Sequence, residues 1–234
     1  IMYGITHLNI GQEASHFGLC SALDRSDWIV PTHRTHGFNI ARGSSIYKMF
    51  SEMLGSKHGL CKGLGGSMHM TDKASNNAGS SAVVGSGIAI ACGIAFALRK
   101  QKKGSIAVAI LGDGATSRGV LHECMNLASV WNLPVMFYCE NNHYGMSASA
   151  ERMISTPDIS SRAKGYSMKA FKCDGNDYDA VYDTVKKARA YMINNSEPVF
   201  VEVDTYRYCG HSKSDKRVYR SEEEEKKWKE KDPL

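Results

Sequence analysis

The stretch GDGATSRGVLHECMNLASVWNLPVMFYCENN, residues 112–142, decides the fold. SIAVAIL (105–111) runs into it as a short apolar segment rich in β-formers, which reads as a buried strand. Val120–Val130 reads as a helix, and PVMFYC (134–139) as the next strand. Strand, crossover helix and parallel strand make one βαβ unit. The two turns that close its strands, Gly112-Asp113-Gly114 and Asn141-Asn142, therefore return to the same carboxyl edge of a sheet, where open α/β folds bind ligands.

C-terminal to this unit, Lys169–Cys173 reads as a strand, Asp177–Asn194 as a long helix and Pro198–Asp204 as a last strand. The fold class is α/β, a central and mostly parallel sheet with helices on both faces. N-terminal to it, helices are expected over Glu13–Leu23 and Ser44–Leu54, the latter with Ile46, Tyr47, Phe50 and Leu54 on one apolar face. A glycine-rich loop, Gly59–Ser86, is too long for a simple connector and reads as either functional or disordered. The small-residue helix Gly85–Leu98 is expected to be buried. Acids followed by lysines in Ser221–Lys231 suit the dipole of a solvated helix.

The 234 residues, 42% hydrophobic and 23% charged, fit one large domain spanning 1–234, cut from a longer chain. A net charge of +5 with interleaved acids gives no nucleic-acid footprint. The longest apolar run, Ile88–Leu98, falls well short of the roughly 20 residues of a membrane span, and no membrane association is expected. Seven widely spaced cysteines without a C-x-x-C pair read as reduced thiols of a cytoplasmic protein.

The chemistry follows from residue type. The Asp113 carboxylate and the Asn142 amide oxygen are hard ligands suited to magnesium or calcium and unsuited to zinc. Magnesium held by few protein ligands shares its shell with phosphate oxygens. Gly112 and Gly114 permit close backbone approach, and Ala115–Gly119 are expected to open a helix whose free N–H groups receive an anion. The spacing predicts a diphosphate with its metal. A dinucleotide site is the nearest competitor, but G-x-G-x-x-G is absent.

This run resembles the thiamine-diphosphate motif of the alpha subunits of the first components of pyruvate, acetoin and related 2-oxo acid dehydrogenase complexes. HLNIGQEA (7–14), THRTHG (32–37), CKGLGGSMHM (61–70) and TYRYCGHSKSD (205–215) extend the agreement over nearly the whole chain in the family's order. The resemblance implies thiamine diphosphate and Mg²⁺, with the metal on Asp113, Asn142 and the backbone oxygen of Tyr144. It implies that Gly114 and Ala115 give N–H groups to the diphosphate and that Arg34 pairs with a phosphate. Ser117 stands where the family usually has asparagine, and the backbone at Val84 is where the aminopyrimidine rests.

By the same resemblance His7, His36 and His211 lie near the reaction centre, and Arg207 and Ser212 order the site on an active-site loop, 205–220. His33 replaces a tyrosine frequent in pyruvate-oxidising members, which with GHSKSD leans toward the acetoin branch. In two-subunit relatives the glutamate that activates the cofactor comes from the beta subunit. The implied assembly is an α2β2 heterotetramer that passes its acyl unit to a lipoyl-bearing acyltransferase component. Two other readings stay open: a nicotinamide-linked oxidoreductase on a Rossmann-like sheet, and a non-catalytic scaffold paralogue.

Overall fold

A computed structural model describes residues 4–101, 104–156 and 158–234. Helix α1 (Glu13–Ala22) leads to a short strand β1 (Trp28–Val30), then α2 (His36–Ala41) and α3 (Ile46–Met53). Helix α4 (Ser86–Gln101) precedes β2 (Ala107–Gly112), α5 (Gly119–Val130) and β3 (Val135–Asn141). A small hairpin, β4 (Tyr144–Gly145) and β5 (Ala148–Ser149), and a single turn α6 (Ala150–Met153) follow. The chain closes with β6 (Lys169–Asp174), α7 (Tyr178–Asn195), β7 (Val199–Asp204) and α8 (Glu222–Lys229).

The main sheet has five parallel strands in the order β1-β2-β3-β7-β6. Every residue of β3 is buried, as a strand covered on both faces requires. One face packs Ala107, Ala109, Val135 and Phe137 against α4 and α5, through Ile88, Ala91, Leu121 and Met125. The other packs Val108, Ile110, Met136 and Val201 against α1 and α7, through Leu19, Val181 and Val185. The expected α/β sandwich is thus present, with β1 added at the edge. That strand is only three residues long and is stopped by Pro31, too little for an alternation to register.

One burial expectation is corrected, and a second helix shows a face that periodicity alone did not place. Helix α4 buries Ile88, Ala91, Cys92, Ala95 and Leu98, but its outer face leaves Ile90, Gly93 and Phe96 exposed. Only one side of it meets the sheet. In α3 the apolar residues do share a face, yet Ile46, Tyr47, Phe50 and Leu54 are all exposed. What α3 buries instead is Met49, Ser51 and Glu52, because a buried carboxylate there organises the following loop.

Ser221 caps α8 by accepting from the Glu224 N–H, and acids fill the first turn as the dipole favours. All seven cysteines are free. Among the described residues no helix is long and apolar enough to cross a membrane.

Candidate active site

The carboxyl ends of β2, β3 and β7 lie side by side, with Gly112 opposite Glu140 and Asn141 opposite Asp204. Asp113 leaves β2 into a 3-10 turn, Asp113–Ser117, and the α-helix proper begins only at Gly119. The expected helix opening at Ala115 is therefore corrected. The Thr116 hydroxyl donates to the Asp113 carbonyl at 2.6 Å, a local bond that tightens this turn before the helix starts. The Asp113 carboxyl is 2% exposed. Burial pushes its pKa up, opposed by His143, Arg207 and the N–H groups of Asp113 and Gly114.

Asn142 stands just past β3, and β7 holds the loop that carries it. The Asn141 amide donates to Glu202 at 3.1 Å, and its carbonyl accepts the Thr205 N–H at 3.0 Å. His143 takes a left-handed conformation and pairs with Asp204 at 2.8 Å. The chain then folds back so that Gly145 lies on Gly114, where a Cβ would come 3.2 Å from the Gly145 Cα. Two glycines let the loops that follow β2 and β3 approach this closely. Tyr144 is anchored from outside, its hydroxyl donating to Glu224 at 2.9 Å and its ring lying 4.4 Å beneath the Arg220 guanidinium.

These loops enclose a cavity of about 280 Å³. Asp113, Asn142, Arg34, Arg207, His33 and His211 contribute to its polar lining, and Val84 lines it from the turn before α4. Gly112, Gly114, Ala115, Ser117 and Tyr144 complete the predicted set on its wall. Arg34 is buried and donates to the Leu8 carbonyl at 2.6 Å and the His211 carbonyl at 2.8 Å. One guanidinium thereby ties the N-terminal segment to the C-terminal loop. Burial, reinforced by Arg207, pushes its pKa down to about 9.

Arg207 donates to the Met146 carbonyl at 2.8 Å and the Tyr219 hydroxyl at 2.9 Å. Its other terminal nitrogen meets His211 Nδ1 at 3.3 Å. A guanidinium only donates, so Nδ1 accepts and the ring proton of neutral His211 sits on Nε2. Asp215 fixes the same loop by accepting from the His211 N–H at 2.7 Å and the Tyr219 hydroxyl at 2.6 Å.

His7 does not line the cavity but packs behind it, its ring centroid 4.4 Å from His33 and 4.8 Å from His211. One nitrogen from each of these three rings lies within 4.8 Å of the others. Arg34 and Arg207 stand beside them and both act to lower the pKa values of all three rings, so the cluster disfavours added positive charge, whether a metal cation or a proton. His36 stands apart from the cavity lining, its Nε2 3.1 Å from the Ser67 hydroxyl. Ser212 is also outside, its hydroxyl paired with Ser214 at 3.3 Å.

Sequence reasoning missed the supports. Glu140 in β3 and Glu202 in β7 are buried acids inside largely apolar strands, a signal open to reading, because a buried charge in a sheet must have partners. Glu140 accepts from Ser15 and lies 3.1 Å from His16, while Glu202 takes Asn141 and the Ser160 N–H. Met146, Met153 and Ile154, which form an apolar wall of the cavity, had no comparable signal.

Burial first, and then the neighbouring arginines, lower the pKa values of His7 and His211 to about 4 and of His33 to about 3. All three are neutral at pH 7. The unfolded chain binds more protons than the folded one from about pH 6.5 down to these values, so stability is lost on acidification through that window. The stability of the cofactor-free chain is expected to fall between pH 7 and pH 5 by about 2 kcal/mol per ring, read as a lower thermal midpoint. His33→Asn should flatten the profile. A wild-type midpoint that does not change over this range would contradict the assignment.

The model of the dehydrogenase E1 component family matches residues 1–234. The chain is 39% identical over 224 residues to the alpha subunit of the acetoin:2,6-dichlorophenolindophenol oxidoreductase of Bacillus subtilis, covering 96% of this chain and 67% of that one. It is 38% identical over 231 residues to the pyruvate dehydrogenase E1 component subunit alpha of Rickettsia bellii, covering 99% and 71%. Against the mitochondrial pyruvate dehydrogenase E1 component subunit alpha of Dictyostelium discoideum the identity is 41% over 225 residues, covering 96% and 59%. A family match over the full length, on a parallel sheet whose strand ends bring Asp113, Asn142 and Arg34 to one cavity, has one reading: the chain belongs to the dehydrogenase E1 component family.

Proposed function

We propose that this chain is the alpha subunit of a thiamine-diphosphate-dependent dehydrogenase, acting on acetoin or on a 2-oxo acid such as pyruvate and passing the acyl unit to a lipoyl group. The observation that carries the reading is the placement of Asp113 and Asn142 at adjacent strand ends, over one cavity with two buried arginines. The residues present suit the cofactor. A desolvated carboxylate and an amide oxygen favour a magnesium ion, and the Gly114–Gly145 contact brings backbone close to where a diphosphate would lie. Arg207 Nε and His33 Nε2 are buried without a partner among the described residues, as expected of groups that await a polar ligand.

Asp113, Asn142 and the Tyr144 carbonyl would hold Mg²⁺, with Gly112, Gly114, Ala115 and Ser117 cradling the diphosphate and Val84 meeting the aminopyrimidine. Arg34 and His33 face the same ligand. Such a cofactor, when bound, supplies a carbon nucleophile for the substrate carbonyl, with loss of carbon dioxide from a 2-oxo acid or release of acetaldehyde from acetoin. His211, with its proton on Nε2, is a donor toward a developing alkoxide. His7 and His36 stand behind it as further proton-handling groups. Arg207 and Ser212 order the loop that presents His211.

The glutamate expected to activate the cofactor belongs to a beta subunit, so the complete site forms in an α2β2 assembly, and a lipoyl-bearing acyltransferase takes the product. The test is reconstitution with the beta partner, thiamine diphosphate and Mg²⁺, assayed with pyruvate, branched 2-oxo acids and acetoin. Turnover is expected only with both chains, and chelation should abolish it. Full turnover by this chain alone would refute the division of labour. Tight NADH binding that survives chelation, with no response to thiamine diphosphate, would refute the reading itself.

A further inference from the structure

Glu52 is a fully buried carboxylate outside the cavity, with no cationic side chain paired to it among the described residues. It sits in the last turn of α3, and the glycine-rich loop that follows wraps around it. Oε2 accepts the N–H groups of Cys61 at 2.7 Å and Gly63 at 2.9 Å. Oε1 accepts those of Gly65 at 2.7 Å and Gly66 at 3.1 Å. Lys62, Gly63 and Gly66 all have positive φ, which turns successive N–H groups inward as an anion nest. A Cβ at Gly59 would lie 2.6 Å from the Glu52 Cα, so the return of the chain also depends on a bare backbone there.

The wrapped loop leads straight into the site. Its end is the turn Gly66–Met68, where the buried Ser67 places its hydroxyl 3.1 Å from His36 Nε2. Met68 is fixed in turn by the Ser80 hydroxyl at 2.7 Å, and the Cys61 thiol accepts the Thr71 N–H at 3.2 Å, closing the loop on itself. Ser67 is the only side-chain partner of the His36 ring among the described residues. The backbone of His7 meets the same ring, so its orientation is set between that segment and the point where the loop holds Ser67.

We propose that Glu52 is a positioning residue: by drawing the Cys61, Gly63, Gly65 and Gly66 N–H groups onto one carboxylate, it sets the loop that holds Ser67 against His36. Four donors converge on an anion, a bonding pattern stronger than neutral pairs would give. Burial alone would raise the Glu52 pKa, but the N–H groups of Gly63, Cys61, Gly65 and Gly66 outweigh it and the net shift is downward, which keeps the clamp charged. An amide at this position cannot substitute, because its NH2 group would face two of the four donors. The catalytic consequence rests on the functional reading above, whereas the clamp itself does not.

The experiment uses Glu52→Gln and Ser67→Ala in the full chain, alone and together. In Glu52→Gln the amides of Cys61, Gly63, Gly65 and Gly66 should exchange at least about tenfold faster, read by hydrogen exchange without any assay of activity. In the reconstituted complex kcat should fall by about tenfold or more, with KM changed less than about threefold. Ser67→Ala should lower kcat comparably while those amides stay protected. The double variant should be hardly slower than either single one, because both act through one contact.

Unchanged amide protection in Glu52→Gln would overturn the clamp, and additive losses or an unchanged kcat would overturn its route through Ser67. Should Glu52→Gln fail to fold, Ser67→Ala still decides the route to His36. An inactive wild-type complex would count against the functional reading and leave the exchange result standing.

Discussion

Replacing Asp113 by asparagine is expected to leave the cofactor-free chain as stable as wild type or more so, while cofactor binding in Mg²⁺ weakens by at least about 100-fold. The two effects have opposite signs for one reason. The Asp113 carboxyl is 2% exposed, and its pKa is raised because burial outweighs the help of His143, Arg207 and two N–H groups. A raised carboxyl pKa means that the charged form is better accommodated in the unfolded chain, so at pH 7 the anion costs the folded state free energy. Asparagine keeps an acceptor oxygen and removes that cost, with a gain of roughly 0–2 kcal/mol. The same exchange removes the charged ligand that a magnesium diphosphate would need. Thermal unfolding with and without cofactor, and calorimetric titration in Mg²⁺, check both arms. Binding retained within about threefold would show that the GDG aspartate is not a metal ligand.

This pairing of functional demand with local instability was partly open to view before the fold was known. A strand–helix–strand unit has few ways to close, so the apolar runs on either side of GDG and NN sufficed to bring Asp113 and Asn142 together. Buried parallel strands are written as continuous apolar segments, and β2, β3 and β7 all carry that signature. The convergence of His7, His33 and His211 is different in kind. These rings come from the N-terminal segment, the edge of β1 and the C-terminal loop, and no local periodicity links them. The matching motifs suggested His7 and His211 together, but with His36 as the third ring where the structure has His33.

The exposed face of α3 was hidden for a further reason. Apolar periodicity identifies a face without saying what covers it, and here the buried side is chosen by one polar residue, Glu52, whose four N–H partners lie 9 to 14 positions away. The acids of β7 behave likewise. Glu202 and Asp204 reach the Asn141-His143 segment from 61 positions away in each case, so the geometry of the loop that carries Asn142 is set by the neighbouring strand β7.

The second large effect is expected at Gly37, in the THRTHG segment between Arg34 and the body of α2. A Cβ built on Gly37 would sit 3.0 Å from His16 Cγ and closer still to Nδ1. His16 cannot retreat. It is fully buried on α1, with Glu140 3.1 Å from its Nε2, and its ring lies 4.2 Å from that of Phe38. Asn9 bridges the same group to the site, its amide 3.4 Å from His16 and 2.7 Å from the Arg34 carbonyl, to which it donates. Gly37→Ala must therefore move either α2 or the His16–Glu140 pair, at an expected loss of about 1–3 kcal/mol from overpacking alone. Because His36 precedes Gly37 and Arg34 shares the Asn9 bridge, the displacement should reach the cavity. Cofactor affinity is expected to fall at least about tenfold at temperatures where the variant is still fully folded. Gly93→Ala provides the comparison: Gly93 lies mid-helix in α4 with nothing within 4 Å of a Cβ, so the isolated chain should gain about 0.5–1 kcal/mol. If the two variants matched each other in thermal midpoint and in cofactor affinity, the packing of His16 against α2 would not be what sets the position of the THRTHG segment.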